Sequence, residues 1–389
     1  MGKEMKKLQL GIIGYGGFGQ FLHNSWQENK KINIIAVSDL SSKASIDKKL
    51  EFYPDWRQLV ANPEIDIVAI ATPPDTHPEI AIEAIENQKH VILEKPLAIN
   101  LTDAQKIKTA QAISGSILVV DFMLRFHPLI VQLKKWTQSQ IFGRLRRTYV
   151  ENYAQDDCLP IEHWFWNKNQ SGGILIEHGV HFIDLVNFIS GSPAIKIKGL
   201  GHSRNKSQED QVMACILHRN GLIATHYHDF SRPGFFETTS IRLIFDLAQI
   251  DLFGWIPLKG NFSILINSDS ITELEKFPGL KITQNIPIDK AADNSRPSGW
   301  GQTDGENNLS STRLVSGGKR YQVNRHIKGT FNLAKTKQKV YSDLLNTVLD
   351  DVVCSIEEPS HKPFITINEA ITSLKIALAA AAATSESGL

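Results

Sequence analysis

The sequence predicts an α/β plus α+β protein: an N-terminal doubly wound parallel sheet over residues 1–122 and a C-terminal α+β domain over residues 123–389, built on a large, mostly antiparallel open sheet. Three observations lead there. A strand-like run, Leu8 to Ile13, breaks off into Gly14-Tyr15-Gly16-Gly17-Phe18-Gly19. Short apolar runs then alternate with helical stretches as far as Asp121, the spacing of strand–helix–strand units with right-handed crossovers. From Leu129 the texture turns to period-two runs punctuated by Gly and Pro, as in a sheet covered on one face.

Composition narrows the classes. A chain of 389 residues suits two domains. Its 42% apolar and 21% charged content is that of a globular protein, and a formal net charge of +1 gives no electrostatic case for nucleic acid or an anionic membrane. Cys158, Cys215 and Cys354 lie far apart with no CxxC or Cys/His spacing, so neither disulfides nor zinc are expected, and a reducing, cytoplasmic compartment is. The basic start and its short, glycine-dense apolar run read as a strand and its turn rather than a leader. Met1-Gly2 lacks the Ser or Thr of a myristoylation signal, and no run approaches the ~18 apolar residues of a membrane span.

In order, the glycine run follows a strand and precedes a helical stretch, Gln20 to Asn29. The first glycine serves a tight turn, the second the approach of a pyrophosphate, the third helix-on-strand packing. Phosphates would rest on the helix N-terminus. A second strand, Asn33 to Ser38, ends in Asp39, placed to accept from an adenosine ribose and to repel a 2′-phosphate. This favours NAD over NADP, with Lys43 as a reason to keep both open. A third strand, Ile65 to Ala71, stops at Thr72-Pro73-Pro74-Asp75-Thr76-His77, a loop at the same edge. A helix, Pro78 to Asn87, leads to the apolar strand Val91-Ile92-Leu93 and then Glu94-Lys95-Pro96. Taken alone this is also an ordinary strand exit with a solvated lysine. A helix, Thr102 to Ala112, and a fifth strand, Ser116 to Asp121, complete the unit.

These motifs in this order, GxGxxG, an acid after the second strand, ATPPxxH and EKP, resemble the glucose-fructose oxidoreductase/inositol dehydrogenase/MocA family. Asp121 to Pro128, DFMLRFHP, also resembles that family's passage out of its Rossmann nucleotide domain. The resemblance implies that Gly14, Tyr15, Gly16, Gly17, Phe18, Gly19, Asp39, Thr72, Pro73, His77, Glu94 and Lys95 serve the dinucleotide, with Lys95 beside the nicotinamide and the reacting hydroxyl. The Lys95–Pro96 bond is often cis in the family.

Leu129 to Ser139 reads as a helix and Phe142-Gly143-Arg144 as a turn into strands. The loop Asp156 to Asn169 crowds His163, Trp164, Phe165 and Trp166, either a lid packed on the core or rings for the C–H face of a sugar. Trp164 matches the Trp of the family's Trp-Arg-x-Asp segment, whereas Phe165 and Asn167 replace its Arg and Asp. Ile174 to Ser190 suits a mostly buried helix, with Glu177 and His181 one turn apart on one face and Asp184 beyond. By resemblance this is the second catalytic element, His181 the acid/base tuned by Glu177, where relatives commonly carry Asp. An idle core histidine capped by Asp184 is the competing reading. A metal site from Glu177, His178 and His181 is not expected, since His178 should point away and a further ligand is missing. Arg125, Trp164, Trp166 and His178 join Lys95 and His181 as candidates for substrate contact.

Gln211 to Leu217, Leu222 to His228 and Ser240 to Phe253 alternate as sheet strands. His226, Tyr227, His228 and Arg232 could reach the site, but a solvent-facing placement of some of them is preferred. Ala291 to Arg320 is expected to be a long mobile loop. Tyr341 to Ile356 and Ile367 to Thr384 are closing helices, and the run Ala377 to Ala383 is close-packed helix. The resemblance implies an NAD-dependent oxidoreductase acting on a sugar, sugar derivative or cyclitol, assembled as a homo-oligomer, dimer or tetramer. Two alternatives stay open: a lyase, hydrolase or epimerase that recycles its NAD, and a nucleotide-binding sensor without catalysis.

Overall fold

The computed structural model describes residues 7–41, 49–157, 159–267, 271–288 and 313–385. Lys43 and Cys158 lie outside them. The first sheet contains β1 (Leu8–Ile13), β2 (Ile32–Ser38), β3 (Glu51–Tyr53), β4 (Ile67–Ile70), β5 (His90–Leu93) and β6 (Leu118–Val120), all parallel, in the spatial order β3-β2-β1-β4-β5-β6. Between them run α1 (Gly17–Trp26), α2 (Trp56–Ala61), α3 (His77–Glu86) and α4 (Leu101–Ser114). Every residue of β4 is fully buried, as helices on both faces of a parallel sheet require. Strand order reverses between β1 and β4, so their carboxyl ends open a crevice there.

The sheet has six strands where five were expected. β3 is a three-residue edge strand, half-exposed and too short to give a period. α1 begins at Gly17 rather than Gln20, because first-turn N–H groups need no partner within the helix and glycine at Gly16 can cap it.

The second sheet contains β7 (Leu145–Gln155), β8 (Ala194–Ser203), β9 (Glu209–His218), β10 (Ile223–Arg232), β11 (Thr238–Phe245), β12 (Ala248–Phe253), β13 (Lys259–Ile266), β14 (Leu280–Pro287) and β17 (Arg325–Asn332), numbered around a separate hairpin of β15 (Arg313–Ser316) and β16 (Lys319–Gln322). Its order is β14-β17-β13-β12-β11-β7-β10-β9-β8, antiparallel except where β10 runs parallel to β7. The stretch expected as one strand to Phe253 is the β11–β12 hairpin. The hairpin of β15 and β16 corrects the expected loop over 291–320 at its end: Gly317 and Gly318, with φ of +52° and +76°, make the two-residue turn that the composition hid. Residues 289–312 lie outside the described residues.

Helices α5 (Pro128–Ser139), α6 (Lys168–Ser171), α7 (Val180–Ser190), α8 (Ile271–Glu275), α9 (Lys337–Glu357) and α10 (Ile367–Ser385) complete the chain. α10 explains the alanine run. Ala377 and Ala380 are fully buried, and a Cβ on Gly199 of β8 would sit 2.1 Å from the Ala380 carbonyl. Small residues on both sides let the helix lie close against the strand. Among the described residues no helix is long and apolar enough to cross a membrane.

Candidate active site

A cleft of about 540 Å³ opens at the crevice, lined by Gly14, Gly16, Gly17, Phe18, Asp39, Thr72 and Pro73 among others. The glycines divide the work by geometry. Gly14 has φ +87°, and a Cβ there would lie 2.6 Å from the Ala71 carbonyl; one on Gly19 would lie 1.9 Å from the Gly14 carbonyl. A Cβ on Gly16 or Gly17 would meet nothing within 4 Å, so backbone faces open cleft where α1 begins without a side-chain cap. Those N–H groups and the helix dipole suit a pyrophosphate. Asp39 ends β2 in the same cleft and accepts from the N–H groups of Tyr15 and Ser41, each at 2.8 Å. The residues fit a bound dinucleotide. Tyr15 contributes backbone only, since its hydroxyl meets His23 at 2.5 Å.

A second cavity, about 270 Å³, continues from the first across Phe18, Ala71, Thr72 and Trp164. It gathers Glu94, Lys95, Glu177, His178 and His181 from both sheets' elements. Lys95 follows β5, and the Lys95–Pro96 bond is cis. Its ammonium donates to the Glu177 carboxylate at 2.5 Å and to the Glu177 carbonyl at 2.8 Å. The ion pair is 12% exposed on each side, so it is nearly removed from solvent. Glu177 therefore holds Lys95 and not, as expected, His181.

The segment Leu175–Gly179 winds as a π-turn ahead of α7. That wider turn, frequent at functional sites, brings His178 to the same cavity as Glu177 and His181, where an α-helix would turn it away. His181 is 6% exposed, its Nδ1 meets no partner among the described residues, and the Trp255 ring stands edge-on at 5.5 Å. Burial first, then the charge of Lys95, push its pKa well below the ordinary value. His181 is therefore held as the neutral imidazole. Among the described residues no group of three His, Cys, Asp or Glu side chains is arranged to hold a metal ion.

Glu94 and Asp121 end the adjacent strands β5 and β6, whose Leu93 and Val120 pair in register. Burial and then the neighbouring Asp121 charge raise Glu94 well above the carboxylate range, and burial pushes Asp121 up to about 6. Two carboxyl groups so placed hold a proton between them.

Several sequence candidates are placed elsewhere. Arg125 lies away from both cavities, its guanidinium donating to Asp184 at 2.6 and 2.7 Å and to Glu369 at 2.8 Å. The same contacts overturn Asp184 as a cap for His181. A buried carboxylate takes the strongest available cation, here a planar, bidentate one. Asp184→Asn is expected to cost about 3 kcal/mol, the low end for breaking a buried pair, because Glu369 still faces Arg125. Urea unfolding would show the loss, with dinucleotide affinity unchanged. Trp166 is packed against Phe165 and donates to the Leu159 carbonyl, whereas Trp164 borders both cavities. His77 is fully buried and bridges the carbonyls of Pro96 and Thr72 at 2.8 and 2.9 Å, so it ties the Lys95 turn to the cleft loop and borders neither cavity. His226 and His228 are fully buried rather than solvent-facing, because alternation along β10 turns them towards the π-turn; Arg232 is exposed.

Sequence reasoning missed Trp255 and Tyr341, which wall the second cavity, their rings 5.2 Å apart. Trp255 sits in the turn after β12 and Tyr341 in the first turns of α9. Neither carries a local motif; a tryptophan beside glycine in a turn, Gly254-Trp255, was the one available signal.

Comparison with known proteins agrees with this geometry. Residues 8–122 match the family model described as an oxidoreductase family with NAD-binding Rossmann fold, and residues 130–246 match the GFO/IDH/MocA C-terminal domain. The chain belongs to the GFO/IDH/MocA family. This is a family of NAD(P)-binding oxidoreductases that includes sugar and inositol dehydrogenases and some hydratases. The chain is similar to a levoglucosan dehydrogenase of Pseudarthrobacter phenanthrenivorans, 34% identical over 48% of this chain and 52% of that protein. It is also similar to a 2,7-anhydro-N-acetylneuraminate hydratase of Mediterraneibacter gnavus, 27% identical over 48% of this chain and 50% of the relative. The chain thus spans about half the length of these curated relatives. The crystal structure of myo-inositol 2-dehydrogenase from Lactobacillus plantarum shares the fold, with a TM-score of 0.70 and 17% identity over 98% of both chains.

Proposed function

We propose that the protein is an NAD-dependent dehydrogenase that oxidises a ring hydroxyl of a sugar, sugar derivative or cyclitol. The observation that carries this reading is Lys95, held by Glu177, beside the partnerless imidazole of His181 in a cavity continuous with the dinucleotide cleft. NAD, when bound, supplies the hydride acceptor. Lys95 would orient the reacting oxygen and stabilise its developing negative charge in a nearly dry site. His181 would take the hydroxyl proton. Phe18, Trp164, Trp255 and Tyr341 offer ring faces and edges to the C–H surface of a cyclic substrate. Asp39 supports NAD over NADP because a 2′-phosphate would meet a carboxylate. Along β9 and β11 every second residue is at most partly buried, a face of the second sheet that supports assembly as a homo-oligomer.

The hydratase relative favours a second reading, in which the same groups run an oxidation and its reversal within one turnover. Absorbance of the reduced nicotinamide, followed while NAD is offered with levoglucosan and inositols, distinguishes the two when products are analysed by mass spectrometry. Accumulating NADH supports the dehydrogenase. A changed sugar without NADH supports the recycled cofactor. Substituting Asp39→Ala is expected to narrow the preference for NAD over NADP by about tenfold, the worth of one ribose contact at about 1.4 kcal/mol. Equal dissociation constants before and after the change would remove Asp39 from cofactor choice.

A further inference from the structure

Behind the second cavity the protein buries imidazole nitrogens that no group among the described residues satisfies. His178 Nε2, His181 Nδ1 and both ring nitrogens of His226 and His228 are enclosed without a hydrogen-bond partner. They are neighbours. The His178 and His228 rings cross nearly at right angles with centroids 5.3 Å apart, and His226 lies 6.5 Å from His228 in near-parallel stacking. On β7, Asn152 pairs in register with His228; its amide nitrogen is also buried and unpartnered. Its carbonyl oxygen accepts from the Thr239 hydroxyl at 2.8 Å, across to β11. Thr239 is the second residue of that strand and is itself 6% exposed. A line of polar groups therefore runs from the cavity, through the space between the π-turn and the sheet, to the sheet's rim.

Each enclosed polar atom without a partner costs about 1–3 kcal/mol, so a row of them is not an inert core. Buried water making two to four hydrogen bonds is the usual remedy where several such atoms converge. Neutral imidazole accepts at one nitrogen and donates at the other, which suits handing a proton along.

We infer that His178, His228, Asn152 and Thr239 form an exit line for the proton that His181 takes from the substrate hydroxyl. This rests on the proposed dehydrogenase reading. Oxidation of the alcohol breaks the C–H bond, whose electron pair leaves as hydride to the oxidised dinucleotide. It also breaks the O–H bond, whose electron pair becomes the second bond of the carbonyl. One proton remains on His181. His181 passes a proton from Nδ1 towards His178 and His228, and water held by Asn152 and Thr239 carries one to the rim. No electron moves along the line.

His228→Phe keeps a ring against His178 and Phe182 but interrupts the line. In the full chain, turnover of NAD with levoglucosan or myo-inositol is expected to fall about tenfold or more in kcat, a modest share of what proton transfer contributes. The solvent deuterium isotope effect should rise, added imidazole should restore much of the rate, and KM should change little. A second readout needs no substrate. In histidine-labelled protein, NMR should show the His178 ring proton exchanging with solvent at least about tenfold more slowly in the variant, since buried groups exchange only through connected paths. Unchanged ring exchange overturns the line, whether or not a substrate has been found. Unchanged kcat and isotope effect in a working enzyme overturn it as well. Absence of turnover in wild type, with slowed exchange in the variant, faults the dehydrogenase reading and leaves the line standing.

Discussion

Lys95→Met is expected to lower kcat by about 10²–10³-fold, the loss seen when one preorganised donor to a developing oxyanion is removed. Methionine keeps the length and apolar stem of lysine and deletes the charge. The consequence reaches further than one contact, because the ammonium is fixed by two acceptors of the same residue, the Glu177 carboxylate and carbonyl. Without it, the Glu177 carboxylate stands 12% exposed with no cation at hydrogen-bond distance. Some stability should also be lost, about 1–3 kcal/mol for a buried acceptor left unsatisfied. Lys95→Arg should not rescue activity, since a planar fork cannot replace a point charge in this geometry. Dinucleotide binding should persist, because the glycine cleft and Asp39 lie apart from Lys95. The measurement is single-turnover NADH formation with dinucleotide affinity determined alongside. A variant that binds NAD and retains more than about a tenth of the rate would mean that Lys95 does not touch the reacting oxygen.

Acid is expected to weaken the protein before its ordinary carboxylates titrate. Burial lowers His178 to about 3 and carries His181, His226 and His228 well below the ordinary value. In the unfolded chain the same imidazoles bind protons near pH 6.5. Above that pH both states are neutral at these residues and stability is at its full value. Below it the unfolded state binds more protons, so stability falls as pH falls until the folded values are reached. Each of the four acts in this sense, at up to about 1.4 kcal/mol per pH unit below the unfolded value. Glu94 and Asp121 act in the opposite sense, because their raised values let the folded state take up a proton first. They offset part of that loss. Urea midpoints measured from pH 7.5 down to 5 should drop steeply, and His226→Leu should flatten the drop. A midpoint constant across that range would show that the row does not stay neutral.

Much of this protein was legible along the chain. The glycine run, Asp39 and the strand ending at Glu94-Lys95 are local signals. A turn of positive φ, a helix start and a strand exit each constrain only a few consecutive residues, so residue types at fixed spacing reveal them. The π-turn segment was recognisable as a helix with Glu177 and His181 on one face for the same reason. What Glu177 holds was not legible. Its partner could be chosen only once β5 and the π-turn were brought together, and the nearest full positive charge, Lys95, took the carboxylate that the family resemblance assigned to His181. Arg125 shows the same limit. It carries a motif-like position, yet burial beside Asp184 and Glu369 makes it a strut, because an enclosed cation goes to the carboxylates that surround it. Tyr341 and Trp255 reach the cavity from segments far along the chain, and β10 buries two histidines that alternation alone left free to face either side. Spacing determined the local elements and placed the candidate residues on them. Packing between the two sheets decided which charges pair, which imidazoles lose their water and which rings wall the cavity, because those depend on distances between residues that the chain order does not relate.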